Sequence, residues 1–131
     1  MKKQFPAVVI LAFAAMITCW MACAPTSETG NELAGSRRFE RLMNKSNTVV
    51  LDVRTPEEFK EGHLPNAVLL DFNGGVFDAE FEKMDRTKTY LVYCKSGRRS
   101  DKAASKMKAT GFENVIQLKG GIQAWTGELQ K

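Results

Sequence analysis

The amino-acid sequence predicts an α/β fold, a doubly wound, mostly parallel sheet with helices on both faces. Segments typical of buried strands alternate with segments typical of helices along most of the chain. Residues 48–53 are almost all apolar and β-branched, as in a strand covered on both faces. The length of 131 residues, with 44% hydrophobic and 26% charged residues, fits one globular domain with a tail and excludes a wholly disordered chain.

Two short helices are expected on either side of this first strand. The first begins with Ser36 as its N-cap, has one apolar face and ends near Asn47. The second begins at Thr55, which precedes a proline and stands three residues before Glu58, the spacing of a capping box. Gly62 ends it.

The same alternation continues to the end of the chain. Strands are expected at residues 67–70, 89–93 and 115–117, and helices at residues 78–84, 99–110 and 122–129. Because folds of this kind bind their ligands beyond the carboxyl ends of the strands, functional residues are expected in the loops that follow them.

The N-terminus has the features of an export signal. Met1-Lys2-Lys3 is basic, and an uninterrupted apolar run covers residues 7–18, so residues 1–22 are predicted to be a signal peptide. The alternative is a retained anchor, since a helix over residues 5–22 would be just shorter than a bilayer core of about 30 Å.

Cys23 follows Ala22 in a segment that resembles a bacterial lipoprotein cleavage box. Trp20 departs from the aliphatic residue usual in such a box. We expect lipid attachment at Cys23, with simple cleavage and a merely buried leader cysteine as the alternatives. Residues 23–35 then form a flexible tether, rich in small and polar residues. The domain would lie on the periplasmic side of a bacterial membrane, held there by its lipid or leader.

Charge and cysteine content limit the classes of function. The net charge of +4 comes with well-mixed signs, so no nucleic-acid partner is expected. His63 is the single histidine and Cys94 has no cysteine close to it in the sequence, so no metal site is expected. No cofactor is expected either. With Cys19 in the leader and Cys23 distant, Cys94 is expected to be an unpaired thiol.

Cys94 begins the segment C-K-S-G-R-R, residues 94–99, which is called the Cys94 loop below. It stands between a predicted buried strand and a predicted helix, so backbone N–H groups can converge on an anion there. Lys95, Arg98 and Arg99 add positive charge, and Gly97 permits tight curvature. Such surroundings favour the thiolate, which is the nucleophilic form of cysteine.

Two other interpretations of Cys94 agree less well with the sequence. It could be a small buried core residue, but it ends a strand amid three cations instead of lying within an element. It could belong to a cysteine phosphatase or arsenate reductase loop, but that loop needs arginine at position 100, where the chain has Ser100.

Three segments in order resemble the single-domain rhodanese family of sulfurtransferases. They are L-D-V-R-T-P-E-E-F-K-E-G-H-L-P-N-A at residues 51–67, the Cys94 loop, and L-K-G-G-I-Q-A-W at residues 118–125. The resemblance implies a rhodanese-like domain over residues 36–131. It also implies that Cys94 takes a sulfane sulfur from a donor such as thiosulfate, holds it as a persulfide and passes it to a thiol or cyanide.

The resemblance also implies roles for the neighbouring residues. The substrate-binding residues would be Lys95, Ser96, Gly97, Arg98 and Arg99, and the supporting residues would be Asp52, Arg54, His63 and Ser100.

Further expectations come from the residues themselves. Asp52 is a charge within an apolar strand, so we expect it to bond Arg99 or the loop amides. Arg54 and Glu58 are expected to brace loops, and His63 to satisfy backbone groups. The Gly120-Gly121 turn is expected to pass close to the Cys94 loop.

The leading hypothesis is therefore a monomeric, exported sulfurtransferase that uses Cys94. The alternative is a persulfide carrier that docks to a redox partner and turns over little free substrate. A structural adaptor with an idle cysteine is the third possibility.

Overall fold

The computed structural model of the chain describes residues 31–131. The predicted signal peptide, Cys23 and most of the predicted tether lie outside the described residues. Residues 31–131 contain five strands: β1 Glu32–Ala34, β2 Thr48–Asp52, β3 Val68–Leu69, β4 Thr89–Tyr93 and β5 Val115–Leu118. The α-helices are α1 Ser36–Met43, α2 Pro56–Glu61, α3 Val76–Glu80 and α4 Arg98–Ala109, and short 3₁₀ helices cover Phe81–Lys83 and Gly121–Ala124.

The five strands form one sheet in the order β1-β5-β4-β2-β3, and every pairing is parallel. Helices lie around this sheet, so the predicted doubly wound α/β fold is confirmed. In the register of the two central strands, Asp52 of β2 lies opposite Tyr93 of β4. Parallel strands end at the same edge of a sheet, so the loops after β2 and β4 come together there.

The strands bury alternate residues in two separate cores. On one face, Leu51 and Val92 pack with Met107 of α4. On the other face, Val50 and Leu91 pack with neighbours such as Phe39 of α1. This follows from the two-residue period of a strand, and it explains why β2 and β4 are apolar at nearly every position.

The last part of the predicted tether belongs to the sheet, so the prediction is wrong for Glu32–Ala34. These residues form β1, which pairs with β5 from Glu32 opposite Ile116 to Ala34 opposite Leu118. Ala34 is 1% exposed. The edge of β5 offers backbone hydrogen bonds to any adjacent segment, and residue composition carries no signal of such pairing.

Ser36 is the first residue of α1 instead of its N-cap, which is Gly35. The Ser36 hydroxyl lies 2.9 Å from Oγ1 of Thr126 and accepts a hydrogen bond from the Thr126 backbone N–H at 3.0 Å. The Ser36 hydroxyl therefore bonds the C-terminal segment instead of capping α1, and the two residues in contact are far apart in the sequence.

The predicted helix over residues 122–129 is also wrong. A 3₁₀ helix ends at Ala124, and the chain then extends to form an isolated antiparallel bridge between Gln130 and His63. Both backbone hydrogen bonds of this bridge are made, at 2.9 and 2.8 Å. They hold Gln130 against His63 as a bridge partner, a conformation that does not continue a helix. Within residues 31–131, no helix is long and apolar enough to cross a membrane.

Candidate active site

The Cys94 loop joins the carboxyl end of β4 to the first turn of α4. Gly97 is the N-cap of α4 and has φ 109°, a left-handed conformation that favours glycine. This residue turns the chain sharply enough for the loop to fold back over its own first side chain.

The thiol of Cys94 lies at the focus of this loop. The backbone N–H of Gly97 donates to Sγ at 3.1 Å, and the thiol donates to Oγ of Ser100 at 3.6 Å. Ser100 in turn donates its hydroxyl hydrogen to the carbonyl of Gly97 at 3.0 Å. Cys94 is 1% exposed, but Lys95 and Ser96 beside it are exposed, so the thiol lies just beneath the molecular surface.

Opposing effects act on the pKa of the Cys94 thiol. Burial raises it, whereas hydrogen bonds from the backbone and hydroxyl of Ser100 and from the backbone N–H groups of Gly97 and Ser96 lower it. The hydrogen bonds prevail, and the pKa lies below the ordinary value. An inert core cysteine would also be buried, but it would not have several hydrogen-bond donors directed at its sulfur. The surroundings of Cys94 therefore favour the thiolate.

Arg99, the last residue of the loop, is held by Glu58. Its two terminal nitrogens donate to the Glu58 carboxylate at 2.6 and 2.8 Å. The capping box of α2 is formed as predicted, with Thr55 and Glu58 bonding reciprocally, and it sets the position of this carboxylate. The hydrogen bond from Arg99, opposed by burial, lowers the pKa of Glu58 from 4.5 to about 2.

Asp52 does not bond Arg99 or the loop amides, so that expectation is wrong. Its carboxylate pairs with Arg54, at 2.9 Å to Nε and 2.6 Å to the terminal nitrogen, and this ion pair is almost fully buried. The reason is the strand period. Asp52 lies opposite Tyr93 and shares its face of the sheet, whereas Cys94, one residue further, belongs to the other core.

Arg54 and His63 support the region around α2. Arg54 donates to the carbonyl of Gly62 at 2.8 Å and lies over the ring of Tyr93, 5.5 Å from its centroid. The ring of His63 stacks on Phe59, its Nδ1 lies 3.2 Å from the Phe59 carbonyl, and its backbone pairs with Gln130. His63 therefore serves backbone groups and is not brought to the thiol.

The polar side chains of the remaining loop residues are available to bind a substrate. Lys95, Ser96 and Arg98 are exposed, and no hydrogen bond or ion pair to another described residue holds their side chains. Two exposed cations therefore belong to the loop that holds a buried thiol whose pKa is lowered, and their positive charge favours the approach of an anion to this loop.

The turn after β5 supports the loop from behind. Ile122 N–H donates to the carbonyl of Cys94 at 2.8 Å, and Gln123 N–H donates to that of Lys95 at 3.2 Å. A Cβ at Gly121 would lie 2.6 Å from the Cys94 carbonyl oxygen, and Gly121 has φ 64°. The close passage expected of the Gly120-Gly121 turn is confirmed, and the two amide donors are features that the sequence did not reveal.

The ion pair between Glu58 and Arg99 was predicted only in part, since Glu58 was expected to brace a loop but Arg99 was not identified as its partner. Its sequence signal was the capping box, which fixes where the Glu58 side chain stands, but the partner comes from a loop 41 residues away.

Comparison with known proteins adds to this geometry. Residues 36–128 match the family model of the rhodanese-like domain. A sulfurtransferase of Allochromatium vinosum is 30% identical over 95 residues, which is 72% of this chain and 87% of that protein. A tRNA uridine(34) hydroxylase of Cytophaga hutchinsonii is 37% identical over 101 residues, and the match spans 75% of this chain but 32% of that longer protein.

A solved structure agrees with the fold. A rhodanese-related protein of Thermoplasma volcanium superposes with a TM-score of 0.67 at 24% identity, covering 76% of this chain and 97% of that one. The matched residues contain α2, the Cys94 loop and the turn after β5. The chain belongs to the rhodanese-like family.

Proposed function

We propose that this protein is a sulfurtransferase that moves a sulfane sulfur from a donor such as thiosulfate to a thiophilic acceptor through a persulfide on Cys94. The observation that carries the proposal is the set of donors converging on Sγ, since they stabilise the anion that must form at the start and end of each cycle. The family membership supports sulfur transfer as the kind of reaction.

The first half-reaction is a displacement at sulfur. The Cys94 thiolate attacks the outer sulfur of thiosulfate, a bond forms between that sulfur and Sγ, and the original sulfur–sulfur bond breaks. Its electron pair leaves with sulfite, and Cys94 carries the persulfide. The exposed cations Lys95 and Arg98 attract the dianionic donor and stabilise the departing sulfite.

The second half-reaction regenerates the enzyme. A nucleophile such as cyanide attacks the outer sulfur, and the electron pair of the broken bond returns to Sγ as thiolate. The loop amides then hold this thiolate as they held it before. With five residues after Cys94 up to Arg99, the loop is one residue shorter than a phosphatase loop, and a ring of this size suits a sulfur atom better than a phosphate.

The direct test is the mass of the intact protein after incubation with thiosulfate. One added sulfur atom on the full chain, accompanied by one sulfite released, is expected, and neither should occur in Cys94→Ser. An unchanged mass in the unsubstituted protein would contradict the proposal.

Steady-state assays with thiosulfate and cyanide then separate enzyme from carrier. Turnover far above that of Cys94→Ala supports the enzyme. A persulfide that forms but turns over no faster than in Cys94→Ala supports the persulfide carrier that acts with a redox partner.

We also propose that residues 1–22 direct export and that Cys23 carries a lipid on the periplasmic side of the membrane. The support is the basic start, the apolar run and the small residue before Cys23. Mass spectrometry of the mature N-terminus tests this, and an unmodified first residue would contradict lipid attachment.

A further inference from the structure

A groove of about 350 Å³ lies between the Cys94 loop and the edge strand β1. Its lining includes Gly97 and Arg98 of the loop region, Lys119 after β5, and Leu33 of β1. Gly97 is the residue whose N–H lies 3.1 Å from Sγ of Cys94. The groove therefore adjoins the loop that encloses the reacting sulfur, although Cys94 itself does not line it.

The walls of this groove combine an apolar side chain with two cations. Leu33 is 52% exposed, although it lies within β1 and pairs with Gln117 of β5. Arg98 and Lys119 are exposed at the groove. An exposed leucine beside two cations is suited to a ligand that has a carbon chain and a negative charge.

The one carboxylate that lines the groove, Asp101, has one of its oxygens hydrogen-bonded within the fold. Asp101 accepts hydrogen bonds from Asn31 at 2.7 Å and from the buried Gln117 at 3.2 Å. Asn31 also donates to Ser105 of α4 at 2.9 Å. These bonds tie the residue before β1 to α4, so Leu33 is held in place as a wall of the groove.

We propose that this groove binds the sulfur acceptor, and that the acceptor is a small organic thiol with an apolar carbon chain and a carboxylate at its far end. The inference rests on the proposed function of Cys94. Thiosulfate is a fully polar dianion and gains nothing from Leu33, so the apolar wall is suited to the acceptor and not to the donor. Leu33 also lies outside residues 36–128, which match the family model, so this wall of the groove is not part of the matched region.

The transfer needs no outside oxidant or reductant. The acceptor thiolate attacks the outer sulfur of the Cys94 persulfide, and a new sulfur–sulfur bond forms on the acceptor. The bond between Sγ and the outer sulfur breaks, and its electron pair stays on Sγ. A proton carried by the persulfide stays on the transferred sulfur, so the products are the acceptor persulfide and the Cys94 thiolate.

The test separates the two half-reactions on the full chain. The protein is first loaded with thiosulfate, and loss of the added sulfur is then followed by intact mass with mercaptohexanoate or mercaptohexanol as the acceptor. The two thiols have the same carbon chain and similar thiol reactivity, because the end group is far from sulfur. We expect mercaptohexanoate to discharge the persulfide about two- to fivefold faster, the range expected for an exposed ion pair.

Substitutions then assign the preference to the groove. Lys119→Gln is expected to remove much of the advantage of the carboxylate. Leu33→Asn is expected to slow discharge by mercaptohexanoate about three- to tenfold, because the carbon chain loses its apolar contact. Neither should change the rate at which thiosulfate loads Cys94. Val76→Asn is the matched control, since Val76 is a similarly exposed apolar residue of α3 that does not line the groove.

The outcomes distinguish this inference from the proposed function. If thiosulfate does not load Cys94, the proposed function fails. If loading succeeds but the two thiols discharge equally, or mercaptohexanoate does not discharge the persulfide, or Leu33→Asn and Lys119→Gln behave like Val76→Asn, the groove is not the acceptor site. Equal slowing of loading and discharge would show a structural effect and would also overturn it.

Discussion

At the scale of single residues, Ser100 has two relations to the reacting sulfur. Its hydroxyl accepts from the thiol at 3.6 Å, and its side chain and backbone both lower the Cys94 pKa. When the thiol ionises, rotation of this hydroxyl can offer its hydrogen to the sulfur instead of to the Gly97 carbonyl. The Ser100 hydroxyl can thus hydrogen-bond the Cys94 sulfur both as a thiol and as a thiolate.

Ser100→Ala should therefore raise the Cys94 pKa and slow its reaction with iodoacetamide near neutral pH. A hydrogen bond to a charged group is worth about 1.5 kcal/mol or more, so alkylation should slow by about tenfold. The measurement is the rate of alkylation as a function of pH.

Ser105→Ala is the matched control for this prediction. It is the same substitution in the same helix, and Ser105 bonds Asn31 and Asp101, not Cys94. An alkylation profile of Ser100→Ala that coincides with that of Ser105→Ala would show that the hydroxyl does not stabilise the thiolate.

The ion pair between Glu58 and Arg99 makes stability depend on pH. The pKa of Glu58 is lowered in the folded protein from 4.5 to about 2, so the pair stabilises the fold above pH 4.5 and loses this contribution as the pH falls towards 2. Glu58→Gln should cost about 1–2 kcal/mol near neutral pH, after allowance for partial exposure.

Urea unfolding at neutral and acidic pH measures this difference. The free energies of unfolding of Glu58→Gln and the unsubstituted protein should converge in acid. Glu57→Gln changes the exposed neighbour on the same helical turn and should have little effect at either pH. A Glu58→Gln deficit that persists at pH 2 would contradict the assignment.

At the scale of elements, the turn after β5 acts as a support for the Cys94 loop. Two amides of the turn bond the carbonyls of Cys94 and Lys95, and Gly121 allows the two backbones to touch. The loop is thus held from two sides, by the turn and by the ion pair from α2. A loop held in this way keeps its amides directed at sulfur without rearrangement during the reaction.

Gly121→Ala is expected to displace the loop and to slow persulfide formation at least tenfold, because the new Cβ would collide with the backbone of Cys94 and Lys95. Gly120→Ala is the control. It also has positive φ, 78°, but its Cβ would meet only the side chain of Ala124. Both variants should lose about 1–2 kcal/mol of stability to backbone strain.

Only Gly121→Ala should lose activity beyond its loss of stability. Sulfite release on mixing with thiosulfate measures this rate. Equal rates in the two variants would show that the close approach at Gly121 does not matter for catalysis.

At the scale of the whole molecule, the buried pair of Asp52 and Arg54 holds the end of β2 to the connection between α2 and β3. Asp52→Asn leaves the Arg54 charge buried without its partner, and we expect a loss of about 3–5 kcal/mol in the free energy of unfolding. Urea denaturation measures it.

The double variant Asp52→Leu with Arg54→Met removes both charges and should recover much of this loss, because no unpaired charge remains. Glu32→Gln breaks an exposed pair with Arg38 and should cost less than about 1 kcal/mol. A double variant as unstable as Asp52→Asn would show that the pair itself, and not the orphaned charge, carries the stability.

The sequence by itself determined the class of fold, the order of its main elements and the place of the reactive thiol. The apolar runs of β2 and β4 had to be buried on both faces, and Cys94, Gly97 and the cations between a strand and a helix had to lie at the carboxyl edge of the sheet. These conclusions depend on residues that are adjacent in the chain, so they can be predicted from local sequence patterns.

Only the tertiary structure decided which charged groups meet. Asp52 pairs with Arg54 and not with Arg99, because the strand period places its side chain on the other face of the sheet. Arg99 pairs instead with Glu58. The addition of β1 to β5 and the pairing of Gln130 with His63 likewise depend on backbone groups that have no residue signature. Partners distant in sequence are selected by three-dimensional packing, and no local pattern records that selection.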